Sequence, residues 1–364
     1  MREALGTQFS FRQGAIFMRF RQLDSITQLE PGKRLEGQRL LTGEDMYFRD
    51  HFPKFPVLPG ALTTEAMVQA SEWLMRKTDD FEHAGVWLTE LKNVKFNGMV
   101  RPGQTLSVIS EIKKWGDATA TFVTKALADG EAVAAARMTL ERFHCAERFP
   151  ERVDADEWMG AMRLRQFEAL DPERPGHYPA PTTYYRWVWI DRFDEFVSGK
   201  YCKARKTVCL GNEAVDLYAP YFGIYPPSLI IEGFAQAGGI LASESSGFMK
   251  RVMLAKIGKA TYHRIAGGGD TMQFHVELVD VGDDGAMVTA TSTIDGEPHV
   301  DAELMFAYIP DGVVDSDFLS PQDKAAMCQL WRVYAVGTTE DGERLQRAKL
   351  FDTVDRSNPR VPRP

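Results

Sequence analysis

Apolar and polar positions alternate with a two-residue period through 105–111 and 118–125, and again through 272–278 and 287–293. Successive side chains of a strand point to opposite faces, so this pattern predicts four half-buried strands. Asp129-Gly130 and Asp295-Gly296 follow the two pairs, and Asp-Gly predicts the tight turn of a hairpin. A different pattern governs two other stretches. Residues from about 59 to 76, and from 228 to 242, are largely apolar without alternation, which predicts a buried helix in each half. One buried helix beside a long antiparallel sheet implies a sheet wrapped around that helix, an α+β arrangement.

The halves read as copies. Asp24 and Lys33 match Asp191 and Lys200, 94–97 match 260–263, and Asp129-Gly130-Glu131 matches Asp295-Gly296-Glu297. The offset stays between 166 and 170 residues, which implies two similar domains rather than a solenoid of many short units. The expected division is a first domain over 1–150 and a helical, Pro-rich linker over 151–183. A second domain over 184–312 follows, then a C-terminal helix and loose tail over 313–364. Asp154, with Glu157 three residues on, has the form of a capping box for a linker helix ending near 170. Ser320-Pro321 starts the C-terminal helix, expected to run to about 334.

Composition narrows the function. At 364 residues, 44% hydrophobic and 26% charged, the chain reads as an ordinary soluble globular protein. A net charge of −8 argues against nucleic acid as the main partner, since phosphate binding needs a basic face. Cys145, Cys202, Cys209 and Cys328 show neither paired spacing nor CxxC, so no disulfide framework or metal site is expected. With no signal-like apolar run and no stretch of membrane-spanning length, the cytoplasm is the expected compartment.

Two helices carry chemistry. Between 229 and 242 the only strongly polar side chains are Glu232 and Gln236, four apart and so on one face. Burial would raise the carboxyl pKa and let it act as a general acid, although a structural Glu–Gln network would look the same. Glu65 and Gln69 repeat the pair in the first copy. His51 sits in a Pro-rich loop leading into the Glu65 helix, and neutral imidazole suits removal of a proton beside a carbonyl. Pro59-Gly60 lies at the expected helix N-terminus, where free N–H groups and the positive dipole end can polarise a carbonyl oxygen. Base, acid and oxyanion donor together fit elimination of water from a 3-hydroxyacyl compound.

His51-Phe-Pro, Pro59-Gly60-Ala-Leu and Glu65-Ala-x-x-Gln69 resemble the 3-hydroxyacyl-ACP dehydratases of type II fatty-acid synthesis, which have the hot-dog fold. So do 93–96 with Arg101-Pro-Gly103, and Asp24 with 29–33; Asp50 and Lys54 depart from the usual glycines. The resemblance covers 20–142 and, more weakly, 184–309. It implies a double hot-dog: two antiparallel sheets, each around a central helix, packed as an intramolecular pseudo-dimer. Family dimers face the histidine of one protomer with the acid of the other. The resemblance therefore implies a composite site of His51 and Gly60 with Glu232, supported by Gln236 and Pro59.

The second site would combine Glu65 and Gln69 with Tyr221 and Pro227. Tyrosine is a poor base near neutrality, proline has no N–H, and Tyr221 precedes Glu232 by eleven residues rather than fourteen. One working site per chain is the expectation. No cofactor is expected. An acyl-carrier-protein or CoA thioester is the implied substrate, with Lys54, Lys92, Lys95 and Arg101 candidates for a cationic rim. Thioester hydrolysis on the same fold, a non-catalytic role within a lipid or polyketide assembly, and further pairing of pseudo-dimers stay open.

Overall fold

Asp129 and Gly130 take positive φ (47° and 92°), as do Asp295 and Gly296 (55° and 84°). Two consecutive residues with φ > 0 give the turn whose twist matches that of the flanking strands, so both predicted hairpins form. The computed structural model describes residues 20–43, 45, 47–52, 55–150, 155–171, 187–210, 212–219, 222–310 and 321–353. Asp154, Ser320 and the tail from 354 lie outside them.

The first half runs β1 (Ser25–Glu30), β2 (Arg34–Leu40), α1 (Tyr47–Asp50), α2 (Gly60–Thr78), β3 (Gly85–Phe96), β4 (Thr105–Trp115), β5 (Thr119–Ala128) and β6 (Glu131–Phe143). Two helices, α3 (Cys145–Arg148) and α4 (Ala155–Glu168), follow it. The second half repeats the series as β7 (Arg192–Val197), β8 (Tyr201–Thr207), α5 (Glu213–Tyr218), α6 (Pro227–Glu244), β9 (Val252–Tyr262), β10 (Thr271–Val281), β11 (Gly285–Ile294) and β12 (Glu297–Tyr308). It is followed by α7 (Pro321–Leu330), α8 (Val333–Val336) and the short β13 (Gly337–Thr338). The C-terminal helix expected to reach 334 is split, because Arg332 adopts a left-handed φ of 65° between α7 and α8.

The strands form one continuous sheet ordered β1-β2-β4-β5-β6-β3-β9-β12-β11-β10-β8-β7-β13. Apart from β13, the second half is the first in reverse. The two expected wraps are therefore joined edge to edge, with β3 and β9 pairing antiparallel through Glu90↔Thr261, Lys92↔Lys259 and Lys95↔Lys256. Joining them there removes an unpaired edge from each half. Each half is a hot-dog: β2 to β6 pack around α2, β8 to β12 around α6, and the two helices touch.

The duplication reaches individual hydrogen bonds at an offset of 167. Leu40 N donates to Asp24 Oδ2 at 2.8 Å, and Thr207 N to Asp191 Oδ2 at 2.7 Å. Ile26 N donates to Leu170 O, and Phe193 N to Trp331 O, the donors again 167 apart and the acceptors 161, so the end of a helix following each hot-dog is tied to that hot-dog's own first strand. Among the described residues no helix is long and apolar enough to cross a membrane.

Candidate active site

The N-terminus of α2 leaves its first backbone N–H groups uncapped by any described side chain, and Pro59 precedes it with an extended ψ of 137°. Its first N–H groups have no intrahelical acceptor and carry the positive end of the helix dipole. A Cβ on Gly60 would come within 3.1 Å of the Phe96 ring, so glycine keeps the approach to this helix end open.

His51 stands at the end of α1, half-buried against Phe52, with ring centroids 4.1 Å apart. Its Nδ1 lies 3.4 Å from Val57 O. A neutral ring donating Nδ1–H to that carbonyl leaves Nε2 with a free lone pair. Burial pushes the imidazole pKa down to about 4, only partly offset by the Val57 carbonyl, so the ring is neutral at physiological pH.

Glu232 comes from the other half, on the second turn of α6. It is 7% exposed. Trp187 Nε1 donates to its Oε1 at 2.8 Å, and Gln236 Nε2 lies 3.3 Å from the same oxygen. Gln236 is itself fixed, donating to Trp187 O at 3.1 Å and accepting from Trp189 N at 2.8 Å. Burial raises the Glu232 pKa to about 7 against the opposing donors Trp187 and Gln236, so near neutrality a large fraction carries a proton. The Trp187 ring also stands edge-on to His51 at 5.9 Å, so one side chain meets both His51 and Glu232.

His51, Gly60, Trp187, Glu232 and Gln236 line a single cavity of about 340 Å³. Phe96, Met99, Val100 and Val133 add apolar walls from the first half, and Ala235, Ile240, Met253 and Phe306 from the second. Pro59 is buried at the α2 N-cap beside it. Among the described residues no group of three or more His, Cys, Asp or Glu could hold a metal ion.

The duplicated position is different. Tyr221 lies outside the described residues, and the counterpart of His51 is instead Tyr218 (51 + 167 = 218). Tyr218 meets Phe20 edge-on at 5.8 Å, as His51 meets Trp187, with Phe20 the counterpart of Trp187 (20 + 167 = 187). The interval to the helix carboxylate is thus fourteen residues in both halves (65 − 51 and 232 − 218), which corrects the expected shortening. The Tyr218 hydroxyl is buried, its pKa raised well above the usual phenol value by burial and by Glu72. Pro227 is the first residue of α6 and brings no N–H.

Glu65 keeps the glutamine partner, with Gln69 Nε2 at 2.8 Å, but is 0% exposed. Burial raises its pKa to about 7 against the nearby Ser228 hydroxyl. The structure therefore brings His51, Gly60, Glu232 and Gln236 together and seals Glu65 and Gln69 in the interior. Trp187 escaped the sequence reading. Its signal was available, because it occupies the repeat position of Phe20, whose carbonyl likewise accepts from Gln69 Nε2.

Of the residues expected at a cationic rim, Lys54 lies outside the described residues. Lys92 and Lys95 are exposed on the β3–β9 seam, opposite Lys259 and Lys256. Lys92 is paired with Glu90 at 2.7 Å, and Arg101 lies over the Phe55 ring at 4.9 Å.

A profile of the FabA-like domain matches residues 17–137. The 3-hydroxyacyl-(acyl-carrier-protein) dehydratase FabZ of Oenococcus oeni is 35% identical over 109 residues, covering 30% of this chain and 78% of that protein. The FabZ of Levilactobacillus brevis is 35% identical over 92 residues, covering 25% of this chain and 62% of that protein, under two thirds of its length. Among solved structures, one described as an oleoyl thioesterase from Lactobacillus plantarum aligns with a TM-score of 0.50 at 12% identity. It covers 76% of this chain and 97% of that one. At so low an identity the likeness speaks to the fold alone.

Proposed function

We propose, from the premise that this chain belongs to the FabZ family and carries a FabA-like domain, that it eliminates water from 3-hydroxyacyl thioesters at one composite site of a double hot-dog. The observation that carries this reading is that His51 and Gly60 from one half and Glu232 from the other line the same cavity. The donor set matches the demands of the reaction, which removes a proton from C2 and hydroxide from C3.

With the thioester carbonyl against the Gly60 N–H, charge developing on the oxygen meets the helix N-terminus. His51 Nε2 takes the C2 proton while Glu232 delivers its own proton to the departing hydroxyl, which leaves as water. The products are the 2-enoyl thioester, an imidazolium and a carboxylate, and proton return from His51 to Glu232 through solvent restores the starting state. The starting state needs both groups uncharged. Burial supplies that, with His51 moved down to about 4 and Glu232 up to about 7. Trp187 and Gln236 hold the carboxyl group in place.

Carrier proteins are acidic, and the exposed lysines of the β3–β9 seam together with Arg101 offer a surface of opposite sign. A panel of 3-hydroxyacyl thioesters separates the reactions of this fold. Enoyl absorbance without free thiol supports dehydration, free thiol supports hydrolysis, and neither supports a non-catalytic role.

A further inference from the structure

On α6 the residues facing the cavity are Glu232, Ala235, Gln236, Gly239, Ile240 and Ser243, which form one helical stripe. The same stripe on α2, 167 residues earlier, reads Glu65, Val68, Gln69, Glu72, Trp73 and Arg76. Its last three members are 2%, 1% and 1% exposed. They interlock, with Arg76 Nη1 3.1 Å from Glu72 Oε2 and its guanidinium 5.2 Å from the Trp73 ring centroid. A carboxylate, an indole and a guanidinium therefore fill one half where a glycine, an isoleucine and a serine leave the other open. Glycine weakens a helix interior, so Gly238-Gly239 in α6 calls for a packing reason. A Cβ on Gly239 would meet nothing nearer than the Phe306 ring at 3.7 Å, so the adjoining space is open.

That space is walled by α7, which lies outside the segment matched by the family profile. Asp323, Met327, Leu330 and Trp331 line the cavity at helical spacing. Trp331 is 1% exposed and pinned by its carbonyl to Phe193 N at 2.9 Å. Lys324 Nζ donates to Phe248 O at 3.2 Å, which ties α7 to the segment just beyond α6. We propose that the α6 stripe receives a straight-chain acyl tail, and that Met327 of α7 and Trp331 just beyond it set its length limit. This inference rests on the acyl-thioester reading of the same site. From Glu232 to Ser243 the stripe spans about 16 Å at the α-helical rise. An extended chain advances roughly 1.2 Å per bond, so the slot takes about a dozen carbons counted from C3, which meets Glu232, for an acyl chain of about fourteen.

The test uses acyl-pantetheine amides of about four to eighteen carbons, in which an amide replaces the thioester, titrated calorimetrically into the full-length chain. Affinity is expected to rise about fourfold per carbon and to break at about fourteen carbons. Met327→Ala is expected to move the break later by about two carbons, the room its thioether vacates. Gly239→Leu, which fills the slot from α6, is expected to move it earlier. A rising series whose break Met327→Ala does not move overturns the assignment to α7, and a series that shows no length dependence, or a break that Gly239→Leu does not move, overturns the slot itself. Failure of the dehydratase reading would show differently, as length-limited binding without enoyl product from 3-hydroxyacyl thioesters.

Discussion

The indole N–H of Trp187 donates to Glu232 Oε1 across 2.8 Å. The bond opposes the effect of burial, favouring the charged carboxylate while the rest of the pocket favours the acid. Trp187→Phe removes the donor and keeps most of the ring. The Glu232 pKa is then expected to rise, so the alkaline limb of the kcat/KM profile moves to higher pH while turnover falls about tenfold. A limb that stays in place would separate Trp187 from the acid.

The unmodified protein should show a bell-shaped profile. Dehydration needs neutral His51 and protonated Glu232. Activity is expected to fall below pH about 4 as His51 gains a proton, and above pH about 7 as Glu232 loses its own. A rate still rising from pH 7 to pH 9 would contradict these protonation states.

Gly60→Ala tests the helix terminus. The new Cβ would lie 3.1 Å from the Phe96 ring and crowd the approach to the first N–H groups. The expected result is a fall in kcat/KM of at least about tenfold, in line with a weakened oxyanion donor. The melting temperature should change little, because alanine suits a helix better than glycine.

Glu65 gives a stability signature without catalysis. Its folded pKa of about 7 exceeds the ordinary carboxylate value, so the native state binds the proton more tightly than the unfolded chain. Its contribution to stability is complete below about pH 4.5 and is lost as pH rises through 7, by up to roughly 3 kcal/mol. Glu65→Gln keeps an acceptor for Gln69 and abolishes that titration. On going from pH 4.5 to pH 8 the urea midpoint of the variant should rise relative to that of the parent, the slope common to both coming from other buried groups such as Glu232, His51 and His299. An unchanged slope would mean that Glu65 is not buried as a proton-binding group.

Local patterns were legible in the sequence because period and turn chemistry act at short range. The alternating strands, both Asp-Gly hairpins, and the buried helices at α2 and α6 all follow from neighbours along the chain. The repeat also exposed Glu65 and Glu232 as equivalents. It misled at one point: the Tyr221-Phe222 dipeptide mimics His51-Phe52, whereas the offset kept by the rest of the fold selects Tyr218. Three features carried no periodic signal. The β3–β9 seam, the bond from Trp187 to Glu232 and the α7 wall join residues distant in sequence, and only folding brings them together.

Enoyl-thioester formation compared among His51→Ala, Glu232→Gln and Glu65→Gln tests the central claim most directly. With a composite site, the first two lose roughly 10²–10⁴-fold in kcat, while the third stays within a few-fold of the parent. Comparable losses in Glu65→Gln and Glu232→Gln would contradict it, because each half would then be supplying an acid.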